Sequence, residues 1–382
     1  MKIGLSAITF APGAMGGMET YLRNLLDRLQ QIDCENDYTI LCDRRVAGEI
    51  PLHNDRWGTR AINYGKPSLN WFLRGLLRNT VNVDILVREM KSLDLDVIHH
   101  PFTVLTPPGI RTPSVLTFWD MQHEFFPEFF NQVELRKRRR IYPASAREAT
   151  RIIVSASFTK DCLVERYGIE EGKIHVIHTG YGPVYRVIED EPALEEVRRR
   201  YGLDRPFLFY PAATWPHKNH GRLLAALRLL KEQGFDGRLL LTGIAMQSHG
   251  EVLREIDRQG LAGEIQLLGY VPAVDLPLLY NLARALVFPS LFEGFGIPLV
   301  EAMACGCPVV CARATSLPEV AGEAGVLFDP YSVEDIAEKV GRVWADDGLR
   351  RDMAALGLQR AKLFTWEETA QKTLQVYREA VG

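Results

Sequence analysis

Cysteine is scarce: only Cys34, Cys42, Cys162, Cys305, Cys307 and Cys311 occur in 382 residues, too few and too scattered for a disulfide framework. No Cys-x-x-Cys pair and no neighbouring histidine completes a four-ligand metal set around the 305–311 cluster, so reduced, mostly buried thiols are expected. No apolar run approaches the roughly 18 residues of a membrane span. The start Met1-Lys2-Ile3-Gly4-Leu5 lacks the long apolar stretch and small-residue cleavage site of a signal peptide, and a cytoplasmic protein is expected. Neither charge sign dominates, 45 Lys and Arg standing against 48 Asp and Glu for a net −3, which offers no overall pull towards nucleic acid. No G-x-G-x-x-G follows the first strand candidate; Gly13-Ala14-Met15-Gly16-Gly17 stands there instead, which sets a nicotinamide dehydrogenase aside.

What is present reads as an ordinary globular chain, 47% apolar and 24% charged, and its length exceeds what one hydrophobic core usually organises. Short β-branched runs alternate with amphipathic helical stretches throughout, the pattern of parallel sheets built from βαβ units. Strands are expected at Lys2 to Ala7, Tyr38 to Cys42, Val97 to His99, Ser114 to Phe118, Ile152 to Ser155 and Ile174 to Ile177. A second set follows at Phe207 to Tyr210, Arg238 to Thr242, Glu264 to Leu267, Ala285 to Phe288 and Pro308 to Cys311. Between Gly180 and Pro206 a Gly-Tyr-Gly-Pro turn, an acidic patch and a charged helix look like an interdomain connection. The fold class expected is α/β, two doubly wound domains spanning 1–185 and 186–364 and facing a cleft at the carboxyl ends of their strands, where open α/β sheets bind ligands.

The most informative text runs from Phe288 to Pro308, FPSLFEGFGIPLVEAMACGCP. A strand ends near Pro289, a glycine turn follows, Pro298 suits a first helical turn, and Gly306 suits a helix stop. The N–H groups of Gly294, Phe295, Gly296 and Ile297 would then form a helix mouth fit for a diphosphate. Glu293 in the turn and Glu301 one turn inside the helix can accept hydrogen bonds from sugar hydroxyls. A second element, Tyr210 to His220, places Lys218 at the end of a strand, where its ammonium could reach a diphosphate.

This segment resembles the E-x7-E region of retaining family-4 glycosyltransferases of the GT-B fold, in register from the strand through the Glu-Gly-Phe-Gly turn and the Pro-Leu-Val-Glu helix to the Gly-x-Pro-Val-Val strand. The similarity extends over nearly the whole chain. It implies two Rossmann-like domains, the first for the acceptor and the second for the donor, and a C-terminal helix over 365–382 packing back on the first. It implies that Glu293 holds the donor sugar and Glu301 the nucleotide ribose, and that Lys218 is similar to the family's Lys-Asn donor motif. The arginine often found a few residues earlier is missing, with Ala212, Ala213 and Thr214 in that region, so positive charge is sought in His217. Gly243 completes the donor set, and Gly16 and Gly17 match the family's Gly-Gly loop on the opposite wall.

On the acceptor side, Leu116 to Glu128 follows a strand, and Trp119 stands where the family commonly has histidine, with Asp120 retained beside it. His123 and His100 are the candidate substitutes. The reaction implied is same-face hexosyl transfer from a nucleotide sugar, GDP-mannose first and UDP-hexose next, to a saccharide or lipid-linked glycan in surface polysaccharide synthesis. Glu293, Lys218 and Asp120 are its catalytic candidates, and no metal or other cofactor is expected. Asp94-Leu95-Asp96 matches a D-x-D metal pattern but precedes a strand, and is expected to be a turn. The stretches Trp71 to Arg78 and Leu135 to Arg140 suit either peripheral contact with an anionic membrane surface or ordinary packed and solvated helices. The alternatives left open are a non-catalytic sugar-nucleotide-binding partner of a glycan assembly complex and an epimerase or phosphorylase of similar architecture.

Overall fold

Strands rich in Val, Ile and Leu, buried on both faces, favour parallel pairing under helical cover, and this rule builds both halves of the chain. The computed structural model describes residues 1–62 and 85–382, so the Trp71 to Arg78 stretch lies outside the described residues. Contacts divide the chain into two units, Met1–Gly180 with Trp366–Gly382, and Tyr181–Thr365.

In the first unit, the described strands are β1 (Lys2–Ala7), β2 (Asp37–Asp43), β3 (Trp57–Ile62), β4 (Val97–His100), β5 (Ser114–Thr117), β6 (Arg151–Val154) and β7 (Ile174–Val176). They form a parallel sheet in the order β3-β2-β1-β4-β5-β6-β7. The helix Gly17–Ile32 follows β1 and buries Tyr21, Leu22, Leu25, Leu26 and Leu29 at helical spacing. The C-terminal helix Trp366–Val381 joins the same core through Trp366, Leu374, Val376 and Tyr377, and each such burial contributes about 1.5–3 kcal/mol. Its tie to the sheet is also polar: Tyr377 Oη lies 2.7 Å from His99 Nδ1, whose Nε2 lies 2.7 Å from Thr117 Oγ1.

In the second unit, β8 (Phe207–Pro211), β9 (Arg238–Thr242), β10 (Ile265–Gly269), β11 (Ala285–Phe288), β12 (Val309–Ala312) and β13 (Gly325–Phe328) pair in the order β10-β9-β8-β11-β12-β13. Both sheets reverse their winding direction once, between β1 and β4 and between β8 and β11, and at such a switch point the loops leaving two neighbouring strands diverge and open a crevice.

Several expectations are corrected. The charged helix Glu191–Tyr201 is part of the second unit: it buries Leu194 and Val197, and Arg200 and Tyr201 both bond Asp275, at 2.9 and 2.5 Å. The strands β3 and β13 were not anticipated. Asp94 and Asp96 form the turn leading into β4, Asp96 accepting from the Lys2 N–H at 2.7 Å and Asp94 pairing with the Lys2 ammonium. The six cysteines are free, all but Cys34 buried. Among the described residues no His/Cys/Asp/Glu cluster is arranged to hold a metal ion, and no helix is long and apolar enough to cross a membrane.

Candidate active site

The switch point of the second unit carries the motifs singled out from the sequence. The loop after β8 ends in the short turn Pro216–Lys218, and Asn219 follows in the left-handed conformation at φ 58°. The buried Asn219 amide donates to the carbonyls of Pro289 and Pro330, at 3.1 and 2.8 Å. Tyr210 Oη donates to the Lys218 carbonyl at 2.7 Å, and the Leu291 N–H donates to the His217 carbonyl at 2.8 Å. These bonds lash the loop after β8 to the loop after β11, and the consequence is an ion pair. Lys218 Nζ stands 2.5 Å from Glu293 Oε1, with only 16% and 15% of the two side chains exposed. Burial works against the Glu293 charge, but the Lys218 ammonium prevails and holds its carboxyl below the usual carboxylate range.

Behind Glu293 the turn is braced from the loop after β12. The Glu293 N–H donates to Thr315 Oγ1 at 3.0 Å, and the buried Ser316 hydroxyl lies 3.0 and 2.8 Å from the carbonyl oxygens of Glu293 and Phe295. Gly296 caps the helix Ile297–Ala304 at φ 113°, a conformation that demands glycine, and a Cβ there would also have to displace Leu317 Cδ2, 2.8 Å away. Pro298 removes one orphan donor of the first turn, and the N–H groups of Gly296 and Ile297 have no intrahelical acceptor. Phe295 itself points into the core, edge-on to Phe364 at 5.7 Å; what it brings to the turn is backbone.

Glu301, one turn into the helix, sits differently. Tyr280 Oη donates to its Oε2 at 3.0 Å, no lysine or arginine pairs with it among the described residues, and burial pushes its carboxyl up to about 7. The two glutamates are thus an ion-paired carboxylate and a carboxyl poised to titrate near neutrality.

Two donor-side readings change. His217 supplies no positive charge, because burial, aided by the neighbouring Lys218, pushes its imidazole down to about 4. Gly243 has a packing reason for being glycine: at φ 131° a Cβ would fall 2.6 Å from the Ala212 carbonyl group.

The remaining candidates belong to the first unit. Gly16 (φ 52°) caps the helix Gly17–Ile32, and the Glu19 carboxylate folds back over this mouth to accept from the Gly13 N–H at 2.7 Å. Trp119 is half-buried, its indole N–H donating to the Pro101 carbonyl at 2.7 Å and its ring edge-on to Tyr21 at 4.7 Å. Asp120 accepts from the Gln122 N–H at 3.0 Å. Neither histidine substitute reaches the surface: His100 is 2% exposed and accepts from the Thr106 N–H, while His123 is fully buried against Tyr167 and Tyr142. The basic run lies on the helix Gln132–Glu148, with Arg136, Lys137, Arg139 and Arg140 exposed and Leu135 buried.

Residues 15–183 match the family model described as Glycosyltransferase Family 4, and residues 195–360 match Glycosyl transferases group 1. Over 369 residues the chain is 33% identical to the O-antigen chain mannosyltransferase B of Escherichia coli, covering 95% of this chain and 96% of that protein. The chain belongs to this glycosyltransferase family. Its fold is shared with sucrose-phosphate synthase of Thermosynechococcus elongatus, with a TM-score of 0.78 at 21% identity over 99% of this chain and 98% of that one. Anabaena Alr3699/HepE in complex with UDP and glucose gives 0.76 at 20% identity, over 99% and 100%. The two parallel α/β units are the Rossmann-like domains of a GT-B glycosyltransferase.

Several side chains of this glycosyltransferase site carry no signal of their own in the sequence. Thr315 and Ser316 brace the Glu293 turn from a loop after the motif, and Tyr280 holds Glu301. Tyr280 lies a few residues before the motif, its position the available hint; Thr315 and Ser316 are hidden because their partners are main-chain atoms more than twenty residues away. Chemically, the arrangement offers a fixed ammonium, backbone donors at a helix mouth and two carboxylates of unlike proton affinity, a set suited to a phosphorylated polyhydroxylated ligand.

Proposed function

We propose that the enzyme transfers a hexosyl unit from a nucleotide sugar, with retention, to a saccharide or lipid-linked glycan acceptor during surface polysaccharide synthesis. The observation that carries the reading is the Lys218–Glu293 pair at the β8/β11 switch point, beside the helix mouth of Gly294 to Ile297. The likeness to an O-antigen mannosyltransferase along almost the whole chain supports GDP-mannose as the first donor to try, with a UDP-hexose next.

In this reading Glu293 accepts hydrogen bonds from the donor sugar and Glu301 from the ribose. Lys218 spends one N–H on Glu293 and keeps others for the diphosphate. The bond from the anomeric carbon to the phosphate oxygen breaks, an acceptor oxygen bonds to that carbon on the same face, and the acceptor proton passes to the departing oxygen. Lys218 and the main-chain donors offset the charge developing there. No metal has a part in this scheme. Gly16, Gly17 and Asp120 serve the acceptor domain, and His217 and Gly243 shape the donor loops. The reaction would run at the cytoplasmic face, with the exposed cations of the helix Gln132–Glu148 resting on anionic lipid.

The test is a thermal-shift panel of GDP-, UDP- and dTDP-sugars, followed by product analysis with the stabilising donor. A donor that stabilises the wild type and yields glycoside, with turnover lost in Glu293→Ala, is the expected result. Stabilisation without hydrolysis or transfer across many acceptors would favour a binding partner instead, and an epimerised donor would reveal an epimerase.

A further inference from the structure

Glu301 lies in a cage of phenols that the ribose reading alone does not require. Tyr280 is 1% exposed, its ring edge-on to Phe209 of β8 at 5.2 Å and to Tyr185 at 6.0 Å. Its hydroxyl donates to Glu301 Oε2 at 3.0 Å, and the Tyr185 phenol beside it also favours the ionised carboxyl. The segment bearing Tyr185 is held in place by the residue next to Tyr280. Asn281 Nδ2 donates to the Arg186 carbonyl at 2.9 Å, and the Ile188 N–H donates to Asn281 Oδ1 at 2.8 Å. Both phenols are therefore fixed before any ligand arrives. A carboxylate has about four acceptor positions, so with both phenols beside it at least two remain for a vicinal diol.

We propose that Tyr280 and Tyr185 are positioning residues that hold the Glu301 carboxylate for the ribose diol of the donor nucleotide and make that grip depend on the carboxyl's proton. This inference rests on the ribose reading of Glu301. The ionisable groups bearing on Glu301 among the described residues are Tyr185, Tyr280 and, at the end of its own helix, Cys305. Burial raises all three away from neutrality, so Glu301 is the member of the cluster that exchanges a proton near pH 7. Ionised, it accepts from both ribose hydroxyls; protonated, it loses one acceptor position and the charge that strengthens the bonds.

The experiment is calorimetric titration of the full chain with UDP and GDP and with their 2′,3′-dideoxy counterparts, across pH. The terminal phosphate titrates alike in both members of a pair, so the ribo-to-dideoxy affinity ratio isolates the diol. For the wild type this ratio should fall about tenfold from pH 8 to pH 6, following the ionised fraction of Glu301. Tyr280→Phe removes a bond to the ionised form and Tyr185→Phe removes a phenol that favours it, so each should move the midpoint upward, a change that a loss of packing alone would not produce. If neither ribonucleotide binds, or ribo and dideoxy forms bind alike at every pH, the ribose reading itself fails and the inference with it. A ribo preference that is flat with pH, or a midpoint unmoved in both variants, overturns the phenol inference and leaves the ribose reading standing.

Discussion

Replacing Lys218 with alanine strands the Glu293 carboxylate in a site that admits little water, since the partners are only 16% and 15% exposed. Removing one member of a buried pair costs about 3–5 kcal/mol, and the opening at the helix mouth puts this case near the lower end, about 3 kcal/mol at neutral pH. For a unit the size of Tyr181–Thr365, each kcal/mol lowers Tm by about 2–4 °C, so a loss of about 6–12 °C is expected in its calorimetric transition. The pH dependence follows from the sign of each shift. In the wild type the folded Glu293 pKa is lowered, so its contribution is present above the unfolded carboxylate value and lost as pH falls through the folded one. In the variant, burial without the ammonium raises the folded pKa, so the penalty is felt at neutral pH and relieved as acid protonates the carboxyl. The gap between wild type and variant should therefore be widest at pH 7 and above and shrink towards about pH 4. Lys218→Ala/Glu293→Ala should recover most of the lost stability, as expected for coupled partners. A gap below about 1 kcal/mol at neutral pH, or one that does not narrow in acid, would refute the buried pair as drawn.

Ser316→Ala leaves the Phe295 carbonyl without the hydroxyl 2.8 Å away; a loss of about 1–2 kcal/mol is expected, with donor KM rising because the helix mouth loosens, measurable by denaturation and initial rates. Gly296→Ala forces a side chain into φ 113° and against Leu317; about 1–3 kcal/mol of strain should appear as a lower Tm and weaker donor binding. In the first unit, burial pushes His99 and His100 down to about 3. Their neutral burial is fully favourable above the ordinary histidine value and is lost between about pH 6.5 and pH 3, at up to about 1.4 kcal/mol per pH unit for each ring. Acid denaturation of Met1–Gly180 should show that slope, reduced in His99→Phe. Tyr377→Phe removes the partner of His99 Nδ1, which lies 2.7 Å from the Tyr377 oxygen, and should cost about 1–3 kcal/mol while leaving isolated donor affinity unchanged, as read by urea unfolding and nucleotide titration.

Two strands carry little local signal. β3 and β13 stand at the sheet edges, where a strand has a partner on one side only. Trp57–Ile62 buries only its two end residues, and Gly325–Phe328 buries only Phe328. Interior strands such as Ala285–Phe288, buried at every position, could be read directly. The charged helix Glu191–Tyr201 reads as a connection in the sequence because two buried residues, Leu194 and Val197, make only a narrow stripe among acids and arginines. The polar bond that anchors it, to Asp275, spans more than seventy residues.

Local chemistry was enough to determine the α/β alternation, the helix that starts after Gly296 and stops near Gly306, the spacing of Glu293 and Glu301, and the family these features resemble. Each depends on neighbours in the chain, on glycine's freedom, proline's missing N–H and helical periodicity. Tertiary structure alone decided that Lys218 meets Glu293, that Glu301 has phenols for company and no cation among the described residues, that His217 stays neutral, and that Tyr377 reaches His99 across 278 positions. Proton affinity and pairing depend on how much water and which charges surround a group, and those surroundings come from segments far apart in the chain.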